Sequence, residues 1–475
     1  MPLIEIQKIT SGAWWVAIPA ANLRLLCGAP ANVVKHLRKK GFISTTVQKG
    51  ITFETGPNAI LLADTPYQHG NFYHLTEFPI LQMLYLQGMI LPNHPNNCGE
   101  KPILIGRSEL LEAQLQYIHR GNYGLLSLDE LLASGLDLEE AQRWYRVKLQ
   151  FAFGKIVPPN ELLELKNFDN DKLILKNEVE IERQKENIFR IGYKGESVTV
   201  DLNSRVHQDL PPYRLPKVRL PRCTFGIVHT GEGDGWDVTR PCMASLIIYR
   251  GKYYLIDAGA NIFYTLRKLG IAPQRIAGIF LTHLHDDHFA GMLSWFKLSL
   301  KKPIPFFATQ PVLKSVIFKL QALLKNIPCS IEQTFVFHSL QEGTWHLLDG
   351  MEVMPFFSLH PVETNCFSFR VKYADHEKTY THLADIAAKA VLEKMMQTEK
   401  ESLKGWLEAI FNRYLLKADI KKVDAGGGMI HGNAEDFLLD TSTRIYLSHN
   451  PKVHKDLPPH FHANASFGQV DILIP

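Results

Sequence analysis

Three histidines and two aspartates fill five of six consecutive positions, His283-Leu284-His285-Asp286-Asp287-His288, directly behind the apolar run from Ile276 to Thr282. No other stretch limits the fold as much. Pro273 breaks the chain, and the apolar run that follows reads as a buried strand. Its exit must then place five polar side chains in a small volume. Residues i and i+2 of an extended segment share a side, so His283 and His285 can point to one place. Asp287 and His288 open the next helix and can face a second. This spacing suits two closely spaced metal ions rather than one. Nitrogen and oxygen donors of this kind suit Zn(II), with Fe(II) or Mn(II) as alternatives. A solvated charged turn is the competing reading, but it gives these groups no use at the mouth of an apolar strand.

The surroundings are equally patterned. Lys252 to Ile256 is a short strand ended by Asp257-Ala258-Gly259, and Ile262 to Leu269 has helical spacing closed by Gly270. Met351 to Leu359 is a further strand ended by His360; Tyr380 to Asp385 and Arg444 to His449 repeat the form, a strand followed by a potential ligand. Of the 20 histidines only five precede residue 206, which concentrates the commonest metal-ligating side chain in the C-terminal part.

An H-x-H-x-D-H pattern behind a β-α-β unit that opens with an Asp-x-Gly turn resembles the metallo-β-lactamase superfamily, over about residues 218–475. The resemblance implies an α/β fold, an αββα sandwich of two mixed sheets with helices outside. It implies that His283, His285 and His360 hold one metal, that Asp287, His288 and His449 hold a second, and that Asp385 bridges them. Two zinc ions are expected, with iron or manganese possible. Asp257 matches the family's Asp that orients the histidine loop. His382 is expected to share the face of Asp385, as an outer partner or as a packed residue. The segments Ser358-Leu359-His360 and Gly426 to Gly432 are similar to a bacterial subset often fused to cyclic-nucleotide-binding domains, although that subset carries Glu where this chain has Asp424. Asp287 and His431 are the catalytic candidates. His431, and His229 beside Gly231-Glu232-Gly233-Asp234-Gly235, are read as loop histidines able to donate a proton or contact a substrate. The glycine stretches read as turns with positive φ or as anion cradles.

A length of 475 residues suggests two or three domains. A Pro-rich stretch, 206–222, separates an N-terminal α+β domain of unknown role, 1–205, from the metallo-β-lactamase-like domain, 223–475. In the first part, 33–40, 78–86, 128–134 and 137–151 read as helices, and 172–202 as two or three strands with a turn at Lys194-Gly195. His69, Asn71, His74, Asn93, His94, Asn96 and Asn97 read as a turn-rich surface. With 52 basic against 48 acidic residues the net charge is +4; nucleic acid is therefore not indicated as a partner. Six cysteines without a C-x-x-C pair read as free thiols. The first residues lack a signal-peptide pattern, and no apolar run reaches membrane-spanning length. The expectation is a cytoplasmic protein with no membrane partner; the oligomeric state is left open.

The expected reaction is metal-dependent hydrolysis of an ester-type bond in a small-molecule substrate, with phosphodiesters or cyclic nucleotides ahead of thioesters and lactones. A non-catalytic di-iron oxygen or redox sensor is the alternative of a different class. His454, His460 and His462 are read as surface residues.

Overall fold

The computed structural model describes residues 2–168, 170–205, 210–398, 401–449, 456–463 and 465–475. Two seven-stranded sheets dominate the C-terminal part. The first runs, in spatial order, Phe335–Ser339, Ile304–Ala308, Ile276–Phe280, Lys252–Ile256, Ala244–Tyr249, Phe225–Gly231 and Val470–Ile474. Its first four strands are parallel and the rest antiparallel. The second runs His346–Leu348, Met351–Ser358, Thr364–Tyr373, His376–His382, Ile420–Asp424, Arg444–Ser448 and Phe461–Ala463. There the antiparallel half comes first and the last four strands are parallel.

The sheets face each other across a layer rich in aromatic residues. Phe280 packs on Phe307, Phe367 and Phe369 with ring centroids 4.9–5.4 Å apart. Strands buried on both faces need helices outside. Ile262–Lys268 and Gln310–Leu323 cover the first sheet, and Lys389–Thr398 and Glu401–Tyr414 the second. This is the expected αββα sandwich.

The N-terminal part is α+β. A six-stranded sheet runs Glu5–Thr10, Ala13–Ile18, Leu23–Cys27, Ala59–Leu61, Ile103–Gly106 and Glu164–Asn167. Alternation sorts its faces: Leu25 and Leu61 meet a four-stranded sheet through Ile181, Phe189 and Val200, while Leu26 and Ile60 meet helices through Leu37, Ile80 and Ile118. The four-stranded sheet comprises Lys172–Ile174, Glu180–Lys185, Ile188–Tyr193 and Glu196–Asp201, one strand more than the upper expectation, because the first is only three residues long. Lys194 and Gly195 both have positive φ, 47° and 87°, as a two-residue hairpin turn requires.

Two expectations change. His74 belongs to no surface: it is buried, and its Nε2 donates to the Ala63 carbonyl at 2.6 Å. The Pro-rich segment, of which 206–209 lie outside the described residues, is strapped to the helix Ile262–Lys268. Tyr213 and Leu215 are buried against Tyr264, and the Leu215 amide donates to the Tyr264 hydroxyl at 3.1 Å.

The apolar cores do not stop at that segment. Tyr117, Phe72 and Leu75 lie in the core under the first C-terminal sheet. Leu131, Trp144 and Val147 lie in the core under the second, with Trp144 edge-on to Phe357 at 5.1 Å.

Candidate metal centre

The strand Ile276–Phe280 carries the chain to Thr282, where Asp257 receives it. Asp257 ends the parallel neighbour strand with φ 61°. Its carboxylate accepts from the Thr282 amide, the Thr282 hydroxyl and His288 Nδ1, each at 2.8 Å. One side chain thus ties both limbs of the loop 283–288. The next two residues finish the cradle. The Ala258 amide donates to the His288 carbonyl at 2.7 Å, and a Cβ at Gly259 would collide with the Asp287 carbonyl. The Asp-x-Gly turn is a docking surface for the histidine loop.

The second sheet delivers the other groups from its strand ends. His360 follows Ser358 by two residues, Asp385 follows His382 by three, and His449 follows Ser448 with φ 63°. All seven expected ligands are buried and converge on the Asp385 carboxylate. Its Oδ2 lies 3.6 Å from His283 Nε2 and 3.7 Å from His360 Nε2. Its Oδ1 lies 3.1 Å from His288 Nε2 and 3.3 Å from His449 Nε2. His285 Nδ1 is 3.2 Å from His283 Nε2 and 3.1 Å from His360 Nε2. Asp287 Oδ2 is 3.7 and 3.9 Å from the Nε2 atoms of His288 and His449. The six side chains around Asp385 therefore fall into two sets, 283/285/360 and 287/288/449, with His283 and His360 nearest Oδ2 and His288 and His449 nearest Oδ1.

The donor set fits divalent cations. Asp385 Oδ1 is buried with no hydrogen-bond partner among the described residues. Burial holds His283 and His285 well below the usual histidine range and His360 down to about 4, so these rings are neutral, the form that ligates. Burial opposes the charge on Asp385, but the surrounding rings, His449 and His288 foremost, hold its carboxyl well below the usual range. Burial also disfavours a charge on His288, yet Asp385, Asp287 and Asp257 outweigh it and raise the ring well above the ordinary value. That is where a cation would replace the proton. His360 donates Nδ1–H to the Ile430 carbonyl at 3.1 Å, the kind of outer hydrogen bond that fixes a ligand's tautomer.

His431 stands at the rim, its side chain 23% exposed, with Nδ1 3.0 Å from Asp424 Oδ2. Burial works against a charge on it, but Asp424 and Asp385 prevail and bring it up to about 10. Asp424 ends the strand Ile420–Asp424, accepts from the amides of Ile386 and Gly426 at 3.2 and 3.0 Å, and groups with His431 and His449. In the sequence Asp424 stands out only by its residue type; the signal for its place is an acid that closes the buried strand Ile420–Asp424.

Other expectations fall away from the centre. His382 is fully buried under the site, with Nδ1 2.9 Å from the Tyr380 hydroxyl and Nε2 3.9 Å from Asp257. It ends a strand, whereas Asp385 lies beyond it, so the two share no strand face. His229 is no loop residue. It lies within Phe225–Gly231, fully buried between Glu232 at 3.2 Å and Asp471 at 3.0 Å, and cannot reach a substrate. Turn formation at positive φ does not explain Gly231 and Gly235, whose φ is not positive. A Cβ there would collide with the Cys242 carbonyl and the Phe78 ring. Gly427 and Gly428 do turn the chain, at φ 77° and 84°. Of the late histidines, His462 is exposed, His460 half-buried, and His454 outside the described residues. No helix among the described residues is long and apolar enough to cross a membrane.

A family model described as Anti-Pycsar protein Apyc1 matches residues 225–405. The cGMP-dependent 3′,5′-cGMP phosphodiesterase A of Dictyostelium discoideum is 26% identical over 158 residues, 33% of this chain and 18% of that protein. Ribonuclease Z of Aeropyrum pernix is 34% identical over 83 residues, 17% of this chain and 27% of that enzyme. The chain thus spans less than a third of the length of these curated relatives. Among solved structures, the metallo-β-lactamase fold protein YhfI of Bacillus subtilis is similar with a TM-score of 0.40 and 15% identity, over 52% of this chain and 99% of that one. The short form of human tRNase Z is similar with a TM-score of 0.38 and 20% identity, over 52% and 99%. The order of the strands, the His-Asp cluster at their ends and the sequence relatives together make the C-terminal part of this chain an αββα domain similar to proteins of the metallo-β-lactamase fold.

Proposed function

We propose that the chain is a metal-dependent hydrolase of phosphodiesters. The observation that carries the reading is the division of four histidines over the two oxygens of Asp385, His283 and His360 on one, His288 and His449 on the other, with His285 beside the first pair and Asp287 beside the second. Zinc is the metal this set suits best, with iron or manganese as alternatives. Two such cations would polarise the phosphoryl group and make water acidic enough to attack near neutral pH.

The chain's own residues supply the rest. Asp287, which also lines a small cavity together with Phe78, Gly235 and Cys242, takes the proton of the attacking water. The new P–O bond forms as the bond to the leaving oxygen breaks. His431, held by Asp424, gives that oxygen its proton. Asp257 keeps His288 in one tautomer throughout. The 3′,5′-cGMP phosphodiesterase among the relatives favours small cyclic phosphodiesters, and the ribonuclease Z relatives favour RNA as the second reading.

The test is metal content per chain, followed by turnover of 3′,5′-cyclic nucleotides, a chromogenic phosphodiester, short RNAs, thioesters and lactones. We expect two zinc ions and phosphodiester cleavage, both reduced in Asp385→Asn. Cleavage confined to thioesters or lactones would replace the phosphodiester reading. Oxygen-responsive iron without turnover would favour a sensor, and full metal occupancy in Asp385→Asn would remove the bridge.

A further inference from the structure

The loop that carries four of the site residues is also held from behind. Asp286, between His285 and Asp287, gives its carboxylate to groups outside the cluster. Tyr117 donates its hydroxyl to Asp286 Oδ1 at 2.5 Å, and Lys319 Nζ donates to the same oxygen at 2.9 Å. Lys319 Nζ also donates to the Leu284 carbonyl at 2.6 Å and is paired with Glu77. Glu77 Oε1 in turn accepts from the Asp286 amide at 3.3 Å. The stretch 284–286 is thereby fixed at a carbonyl, an amide and a side chain. The fixing groups come from three helices, Glu77–Leu81, Ser108–Tyr123 and Gln310–Leu323, and the first two belong to the N-terminal part.

Glu77, Tyr117 and Lys319 are fully buried, and the Lys319 ammonium lies over the rings of Tyr117 and Phe289 at 4.7 and 5.0 Å. A buried ion pair is a poor source of stability, because apolar groups of the same volume serve as well or better. Such a pair at a defined place is better explained by what it holds in position. Gly121 supplies an independent observation. It sits inside the helix Ser108–Tyr123, where glycine is unfavourable relative to alanine, and a Cβ there would collide with the Glu77 carboxylate. The helix gives up propensity to let Glu77 in.

We infer that Glu77, Tyr117 and Lys319 are positioning residues for the metal loop, so that the N-terminal part sets the geometry of His285 and Asp287 and with it the metal affinity of the centre. The inference rests on the metal-binding reading above and extends it to residues that touch no ligand atom.

The experiment uses the full chain loaded with Co(II), whose visible spectrum reports ligand geometry. Affinity is read by chelator competition and folding by Tm, in wild type, Tyr117→Phe, Glu77→Gln and Ile191→Ala. Ile191 lies in the core between the two N-terminal sheets and controls for loss of stability alone. We expect Tyr117→Phe and Glu77→Gln to weaken cobalt binding about 10- to 100-fold, the range seen when support of a ligand is lost, and to shift the spectrum. Ile191→Ala should lower Tm and leave spectrum and affinity as in wild type. Should Glu77→Gln fail to fold, Tyr117→Phe, which removes a single hydroxyl, carries the test. Wild-type affinity and spectrum in folded Tyr117→Phe overturn the inference alone. A wild type that takes up no cobalt overturns the metal-centre reading and the inference with it.

Discussion

Asp257 receives three hydrogen bonds on one carboxylate while its own backbone sits at φ 61°. His449, across the centre, holds φ 63°. Left-handed backbone at a residue other than glycine costs of order 1–3 kcal/mol and persists only where the surroundings over-determine it. Both residues leave a strand end and turn a polar group into the site, so the strain has a visible use. Asparagine tolerates this backbone region but offers one acceptor oxygen instead of two. Asp257→Ala is therefore expected to lower metal affinity by about 10- to 100-fold, with Asp257→Asn between it and wild type, as measured by chelator competition. Equal affinities in all three proteins would show that the carboxylate only terminates a strand. At this scale the clustering of these seven side chains was readable because each lies in a local pattern behind an apolar strand. Lys422 and Glu232, joined at 2.6 Å beneath His449, were not readable, since they meet across 190 residues of chain and neither has a local signature.

Two glycines show what the elements tolerate. A Cβ at Gly259 would meet the Asp287 carbonyl, whereas Gly405, inside the helix Glu401–Tyr414, has open space around its missing side chain. Gly259→Ala is expected to destabilise by about 1–3 kcal/mol as an overpacked contact and to push Asp287 out of register, lowering metal occupancy. Gly405→Ala is expected to stabilise by about 0.5–1 kcal/mol from helix propensity. Chemical denaturation of both variants decides this, and a loss of stability in Gly405→Ala would contradict it. In the sandwich, the helix Ile262–Lys268 and the strands that lead to the clustered side chains were legible from spacing, and in the N-terminal part an end signal was legible at Asp137, which caps Leu138–Phe151 by accepting from the Glu140 amide at 2.8 Å; the helices Gln310–Leu323 and Glu401–Tyr414 were not read. The role of glycine next to His229 was misread. Gly231 is there for close approach to Cys242 rather than for a turn, and a sequence does not distinguish the two uses.

The whole molecule is joined more closely than its sheets suggest. Helices of residues 108–151 sit in the cores of both C-terminal sheets, and Lys148 is paired with Glu363 at 2.6 Å in a buried position. Calorimetry is therefore expected to give one unfolding transition, with Tm lowered by a chelator and restored by zinc, because a ligand of the folded state adds about 2.7 kcal/mol at a hundredfold excess over Kd. Two separate transitions would show that the halves unfold independently. Glu77 meets Lys319, and His229 meets Asp471, across 242 residues in each case. Both spans cross the stretch that carries His283 to His288. A ribosome making this chain releases those histidines after Asp257, Glu77 and Tyr117 but before Lys319, so one member of the bracing set is still unsynthesised. Contacts of such range also form late in folding. Until residue 449 has emerged, no stretch of nascent chain holds both ligand sets, so the group His283, His285, His360 and Asp385 would be complete before the group that needs His449.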